Sequence, residues 1–182
     1  MGLDARIRYT KMVIKDAFVA LLKEKPLNKV TVKEICNLAE INRATFYKYY
    51  SDPYDLLNKM EQEIMLQLQE NMKTGVNNFR DVFILILMSI RADGERYQTL
   101  FSENGDNQFP GKIFSLYYEH IAKDASNQFP GLSPTQQEWL YYYVAHGCCG
   151  ILQRWISDGM KESVENVSDF VDKLIANTVK WL

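Results

Sequence analysis

Residues 42–53 read NRATFYKYYSDP and set Arg43 and Lys48 among four aromatic side chains, Phe46, Tyr47, Tyr49 and Tyr50. Guanidinium, ammonium and phenol groups packed this closely are donors suited to a polyanion. Arg43 can donate bidentately to O6 and N7 of a guanine. Lys48 and the hydroxyls of Tyr47 and Tyr49 can hold phosphates, which fixes position without reading sequence. Upstream, Thr31 sets a hydroxyl and free backbone N–H groups at the start of a helix, an anion site. Arg6, Arg8 and Lys11 add charge that can reach a phosphate backbone or a minor groove. The competing reading is a solvated basic face over an aromatic core cluster.

Helices must present these groups. Ile14, Ala17, Phe18, Leu21 and Leu22 follow one face of a first helix, which Lys25-Pro26 ends. Thr31-Val-Lys-Glu34 has the spacing of a capping box and opens a short second helix buried through Val32, Ile35, Cys36 and Ala39. Asn42 caps a third, expected over 42–50, after a tight turn at Glu40-Ile41. On it Phe46 and Tyr50 lie four apart and point inward. Arg43 and Tyr47 share another face, with Ala44 and Lys48 beside them. Two short helices joined this way read as a helix-turn-helix, whose second helix enters the DNA major groove. Asp52-Pro53 starts a fourth helix that runs through Leu68 toward Gly75.

VTVKEICNLAEINRATFYKYYSDPYDLL resembles the DNA-binding signature of the tetracycline-repressor (TetR) family of bacterial transcription regulators. The match lies in the threonine opening helix two, the alanine before the turn, the Thr-aromatic-Tyr step and the Leu-Leu pair of the connecting helix. It runs from about Tyr9 to Leu57. The resemblance implies phosphate contacts at Thr31, Tyr47 and Tyr49, and base or groove contacts from Arg43, Thr45 and Lys48. Two positions depart from the pattern. Glu40 stands where the turn often has glycine, and Pro53 where the fourth helix often starts with a lysine. One phosphate contact is then missing unless Lys59 or the N-terminal arm replaces it.

The rest of the chain is also helical in period, with segments at 79–92, 94–103, 111–125, 133–157 and 166–181. The expectation is an all-α protein of about nine helices, divided into a DNA-binding domain over 1–51 and a regulatory and dimerisation domain over 52–182. Charge follows that division. Residues 1–50 carry 10 Lys and Arg against 5 Asp and Glu, whereas the whole chain has a net charge of -2. Only the first third is built to meet a polyanion. The pentapeptide NQFPG occurs at 107–111 and 127–131. Its flanks do not match, so it reads as two turns and not as a duplicated unit.

The second region offers walls for a small molecule. Phe83, Met88, Phe114, Tyr117, Tyr118, Tyr142, Tyr143, His146 and Trp155 supply apolar surface with a few polar tips, although each also reads as plain core. Gly147-Cys-Cys-Gly150 puts small residues inside a long helix. Glycine there costs about 1 kcal/mol relative to alanine, and close approach of another helix is one compensation. A dimer contact through Gly147, Gly150, Ile151 and Trp155 fits; so does a close crossing inside one subunit. In the resembling family this helix and the last one form an intersubunit four-helix bundle.

Catalysis lacks a constellation. The two histidines, His120 and His146, have no oxyanion donors or orienting acid, and no metal or phosphate-loop motif is present. No cofactor is expected. Cys36, Cys148 and Cys149 form no disulfide framework or metal spacing and point to a reducing compartment. The most apolar run, Val82–Ile90, falls short of the ~20 residues a spanning helix needs. The sequence therefore predicts a cytoplasmic, homodimeric, one-component regulator, a repressor on a palindromic double-stranded DNA operator, answering to a small-molecule effector. An interaction protein that has lost DNA binding is the alternative.

Overall fold

The computed structural model describes residues 3–72, 79–106, 108–113, 115 and 131–180. Among these the chain forms nine helices and no strand. They are α1 (Leu3–Glu24), α2 (Val32–Leu38), α3 (Arg43–Tyr47), α4 (Pro53–Met72), α5 (Phe79–Ala92), α6 (Gly94–Leu100), a short helical run at 109–113, α7 (Pro134–Ser157) and α8 (Val164–Val179). A 3-10 turn at Leu27–Lys29 follows α1.

The chain divides into two compact units, residues 1–64 with 98–107 and residues 65–97 with 108–182. In the first unit α1 packs on α2 and α2 on α3. Its core is the stripe expected from the sequence: Ile14, Ala17, Phe18 and Leu22 of α1, Ile35 and Cys36 of α2, Phe46 of α3, then Tyr50 and the first apolar residues of α4. Residues 98–107 complete this unit. Asn104 accepts from the Leu27 amide (3.0 Å) and its carboxamide donates to the Leu22 carbonyl (2.9 Å). That bond satisfies one of the carbonyls a helix end leaves open.

In the second unit α5 buries Val82, Phe83, Ile86, Leu87 and Ile90 and packs against α8, where Val164, Val167 and Val171 are buried. An Arg80–Asp169 ion pair joins the same two helices. Ser133 caps α7 through a full capping box with Gln136, and Ser163 caps α8. Between them Gly159 and Met160 both take positive φ, 78° and 54°. Met160 then lies so close over Gly94 that a Cβ there would meet its Cε at 2.4 Å.

The departures from expectation are local. α3 stops at Tyr47, short of Tyr50, although the Tyr49 and Tyr50 amides still donate back to the Phe46 carbonyl. The helix at 94 ends at Leu100, because the Asp106 amide returns to the Leu100 carbonyl and turns the chain. The last helix starts at Val164, since Ser163 and not a later residue caps it. Phe109 and Pro110 of the first NQFPG copy are buried and helical, not an exposed turn. The second copy, and most of the helix expected over 111–125, lie outside the described residues.

Candidate nucleic-acid interface

The first unit builds its candidate surface from caps outward. Thr31 is the N-cap of α2: its hydroxyl accepts from the Glu34 amide (3.3 Å) and donates to Glu34 Oε2 (2.7 Å), which also accepts from the Thr31 amide (3.1 Å). Lys25 Nζ holds the other carboxylate oxygen at 2.5 Å. The Lys25 ammonium first, and the Thr31 hydroxyl next, pull the Glu34 carboxyl down to about 2. At the helix N-terminus expected as an anion site, the Thr31 amide and hydroxyl protons are thus taken by the chain's own carboxylate.

α2 ends in a Schellman motif. Ile41 donates to the Cys36 carbonyl (3.0 Å) and Glu40 to that of Asn37 (3.4 Å). Glu40 takes the left-handed conformation, φ 53°, that the motif reserves for glycine. Asn42 then caps α3. Its Oδ1 accepts from the Thr45 amide (2.7 Å) and the Thr45 hydroxyl (2.9 Å). The Thr45 hydroxyl proton is thus committed, and its lone pairs are what it offers outward.

On α3 the sort read from spacing is realised. Phe46 is wholly buried and Tyr50 nearly so, their rings 5.6 Å apart. Arg43, Ala44, Tyr47 and Lys48 are exposed, and Thr45 and Tyr49 are half-buried at the margins. Among the described residues neither Arg43 nor Lys48 is paired with a carboxylate. Lys11, on α1, stacks 5.8 Å from the Tyr49 ring. The charge at Arg6, Arg8 and Lys11 sits on a regular helix, not on an extended arm. α4 opens as expected, Asp52 capping the Asp55 amide at 2.8 Å and Pro53 in the first turn.

One set of contacts escaped the sequence reading. Lys59, considered there as a substitute phosphate contact, bonds to the Tyr49 carbonyl and to Asp55 instead (both 2.9 Å). Its ammonium is the main reason the Asp55 carboxyl is held below its usual range. The legible signal was an acid four residues before a base on α4.

Of the residues expected to wall a pocket, only those among the described residues can be placed. Phe83 is buried in the α5 core, whereas Met88, Tyr142, Tyr143 and His146 are exposed. Phe114, Tyr117 and Tyr118 lie outside the described residues. Gly147 and Gly150 face open space: a Cβ built on either meets nothing within 4 Å. Among the described residues no close crossing inside the subunit occupies them. Trp155 is buried, its indole N–H donating to the Glu162 carbonyl at 3.0 Å, so it packs within its own subunit. An open groove of about 1030 Å³ runs between α7 and α8, lined by His146, Gly147, Gly150, Ile151, Trp155 and Phe170 among others. Burial raises the thiols of Cys148 and Cys149, to about 12 and about 11, so neither is a ready nucleophile. No described helix is long and apolar enough to cross a membrane, and no metal-binding group of side chains occurs among the described residues.

Comparison with known proteins matches these two regions separately. A family model described as bacterial regulatory proteins, tetR family, matches residues 14–60, and one described as a transcriptional regulator C-terminal region matches 77–177. An uncharacterized HTH-type transcriptional regulator of Bacillus subtilis, YxbF, is 22% identical in an alignment 174 residues long that covers 90% of this chain and 44% of that protein. The chain thus spans less than half the length of that relative. The HTH-type dhaKLM operon transcriptional activator DhaS of Lactococcus lactis is 24% identical over 92% of this chain and 89% of its own length. A TetR transcriptional regulator structure from Streptococcus agalactiae superposes with a TM-score of 0.69 at 22% identity, covering 94% of this chain and 96% of that one.

Proposed function

Because this chain belongs to the TetR family of DNA-binding transcription regulators, and is no enzyme, we propose that it is a cytoplasmic, ligand-responsive repressor that binds a palindromic operator as a homodimer. Residues 1–51 serve as the DNA-binding domain and 52–182 as the regulatory and dimerisation domain. The observation that carries the reading is α3 itself. Its buried side rests on Phe46, which leaves Arg43, Ala44, Tyr47 and Lys48 outward, without carboxylate partners among the described residues. Arg43 and Thr45 read base edges; Tyr47, Lys48 and Tyr49 hold phosphates, and Thr31 does so in competition with Glu34.

Two copies of α3 related by a two-fold axis address half-sites about one helical turn, or slightly more, apart. The self-contact uses α7 and α8, whose outer face exposes Trp139, Tyr143, Phe170 and Leu174 around the open Gly147 and Gly150. An effector in the second unit acts by preferring one placement of the paired DNA-binding units; about 1–3 kcal/mol of coupling is typical. α4, continuous from the first unit into the second, is the lever. The Lactococcus relative is named an activator, so the sign of regulation is read separately, with a promoter reporter.

The test is fluorescence anisotropy with duplexes selected by the protein from a random pool, repeated across a salt series. Binding that weakens steeply with salt and favours a two-fold symmetric consensus is expected. Absence of any salt-dependent binding sinks the DNA reading.

A further inference from the structure

The chain that follows α3 is held from behind by a charged pair on α4. Lys59 Nζ donates to the Tyr49 carbonyl and to Asp55 Oδ2, both at 2.9 Å, and lies 5.5 Å from the centroid of the Tyr50 ring. Asp55 Oδ2 also accepts from the Ser51 amide at 2.9 Å. Two side chains one turn apart on α4 thus engage three consecutive residues, Tyr49, Tyr50 and Ser51. α3 has only five residues, far too few to keep its geometry unaided.

The ammonium group has three protons to give. A carbonyl and a carboxylate take two, and the Tyr50 ring faces the same cation. A DNA phosphate approaching Lys59 would compete with Asp55 for it.

We propose that Lys59 is a positioning residue for DNA recognition: with Asp55 it fixes the end of α3 against α4, so that Arg43 and Tyr47 reach the groove in one register, and it makes no phosphate contact. The proposal rests on the DNA-binding reading above. Lys59 thereby joins the recognition element to the helix that continues into the second unit.

The test measures binding of two duplexes, one selected by the wild-type protein from a random pool and one scrambled from it, across a salt series. The proteins are wild type, Lys59→Met, Asp55→Asn, the double variant and Lys59→Arg. Lys59→Met and Asp55→Asn should each weaken the selected duplex by about tenfold, with the double no weaker than the worse single, as expected for one coupled pair. Binding to the scrambled duplex and the salt slope should stay as in wild type. Lys59→Arg, which can bridge a carbonyl and a carboxylate, should recover most of the loss.

Three results overturn the proposal. A salt slope shallower by about one in Lys59→Met, with tighter binding by Asp55→Asn, makes Lys59 a phosphate contact. Equal loss on both duplexes makes the pair a support of the fold alone. Wild-type affinity in Lys59→Met removes it from recognition while leaving the DNA reading intact. That reading fails separately if the wild type itself binds no duplex in a salt-dependent way.

Discussion

Phe46 and Tyr47 are neighbours in sequence whose rings stand 5.7 Å apart and nearly perpendicular, 86°, one wholly buried and the other more than half exposed. The helix period divides two adjacent aromatics between two tasks. Phe46→Ala should therefore cost about 3–5 kcal/mol, the usual range for emptying a buried aromatic site, and lower Tm sharply. Tyr47→Phe should leave Tm unchanged, yet weaken binding to selected and scrambled duplexes alike, because only a phosphate-facing hydroxyl is lost. Thermal unfolding and anisotropy on the same samples separate the two. A fall in Tm for Tyr47→Phe would place that hydroxyl in the fold.

Arg43 and Lys48 are both exposed cations on α3 or at its cap, without a carboxylate partner among the described residues, but they are expected to fail differently. Arg43→Ala should relax preference at one operator position, costing about 1–3 kcal/mol there. Lys48→Ala should weaken all sequences evenly and make the salt slope shallower by about one. Competition against single-base variants of the selected duplex checks this. Equal loss on every variant would take Arg43 out of base readout.

Glu40 bears a left-handed backbone, φ 53°, at the position closing the Schellman motif of α2. An L-residue there costs about 1–2 kcal/mol, and glycine returns part of this through its greater freedom in the unfolded chain. Glu40→Gly should raise Tm by a few degrees; about 1 kcal/mol moves a chain of this size by roughly 2–4 °C. A lowered Tm would show that the Glu40 side chain supports the turn.

These three cases also show what the sequence could convey. Caps and punctuation were legible because their chemistry is local: Thr31 with Glu34, Asn42 and Asp52-Pro53 each mark the helix start they were read to mark. The inward sort of Phe46 and Tyr50 followed from a spacing of four. What spacing cannot convey is which polar group claims a given donor. Lys59 reads as a candidate phosphate contact and Lys25 only as part of a helix end, yet the first bonds to Tyr49 and Asp55 and the second to Glu34. The exposure of the aromatics was illegible for a related reason. Composition brings Phe83, Tyr142 and His146 into one category, but the rotation of α7 turns Tyr142 and His146 outward while α5 buries Phe83.

Glu34 makes a pH signature. Its carboxyl is pulled from 4.5 to about 2 by Lys25 and then Thr31. A group with a lowered pKa in the folded state contributes stability that is fully present above its unfolded value and is lost as pH falls through its folded value. The window therefore runs from about 4.5 downward to about 2. Wild type should exceed Glu34→Gln in Tm at about pH 6, and the gap should narrow as pH is lowered through this window. A gap that does not change with pH would mean that the Lys25–Glu34 pair contributes nothing through its charge.

Gly150 tests the self-contact. It lies on the face of α7 opposite the buried stripe of Ala145, Cys148, Leu152 and Trp155, and a Cβ there meets nothing within 4 Å. α8 exposes Phe170 and Leu174, four residues apart. If this face met only water, Gly150→Ala would add about 1 kcal/mol of helix stability and change nothing else. If it meets a second copy, the missing side chain is what lets two α7 helices approach, and a contiguous apolar face stops being a solubility liability. Gly150→Arg should then give a folded chain of 21.2 kDa, while wild type runs at twice that mass by light scattering. The same variant should lose affinity for a two-half-site duplex far more than for a single half-site, since only the paired protein gains from the second site. A wild-type mass of one chain at micromolar concentration, or an unchanged dimer in Gly150→Arg, would move the self-contact away from this face.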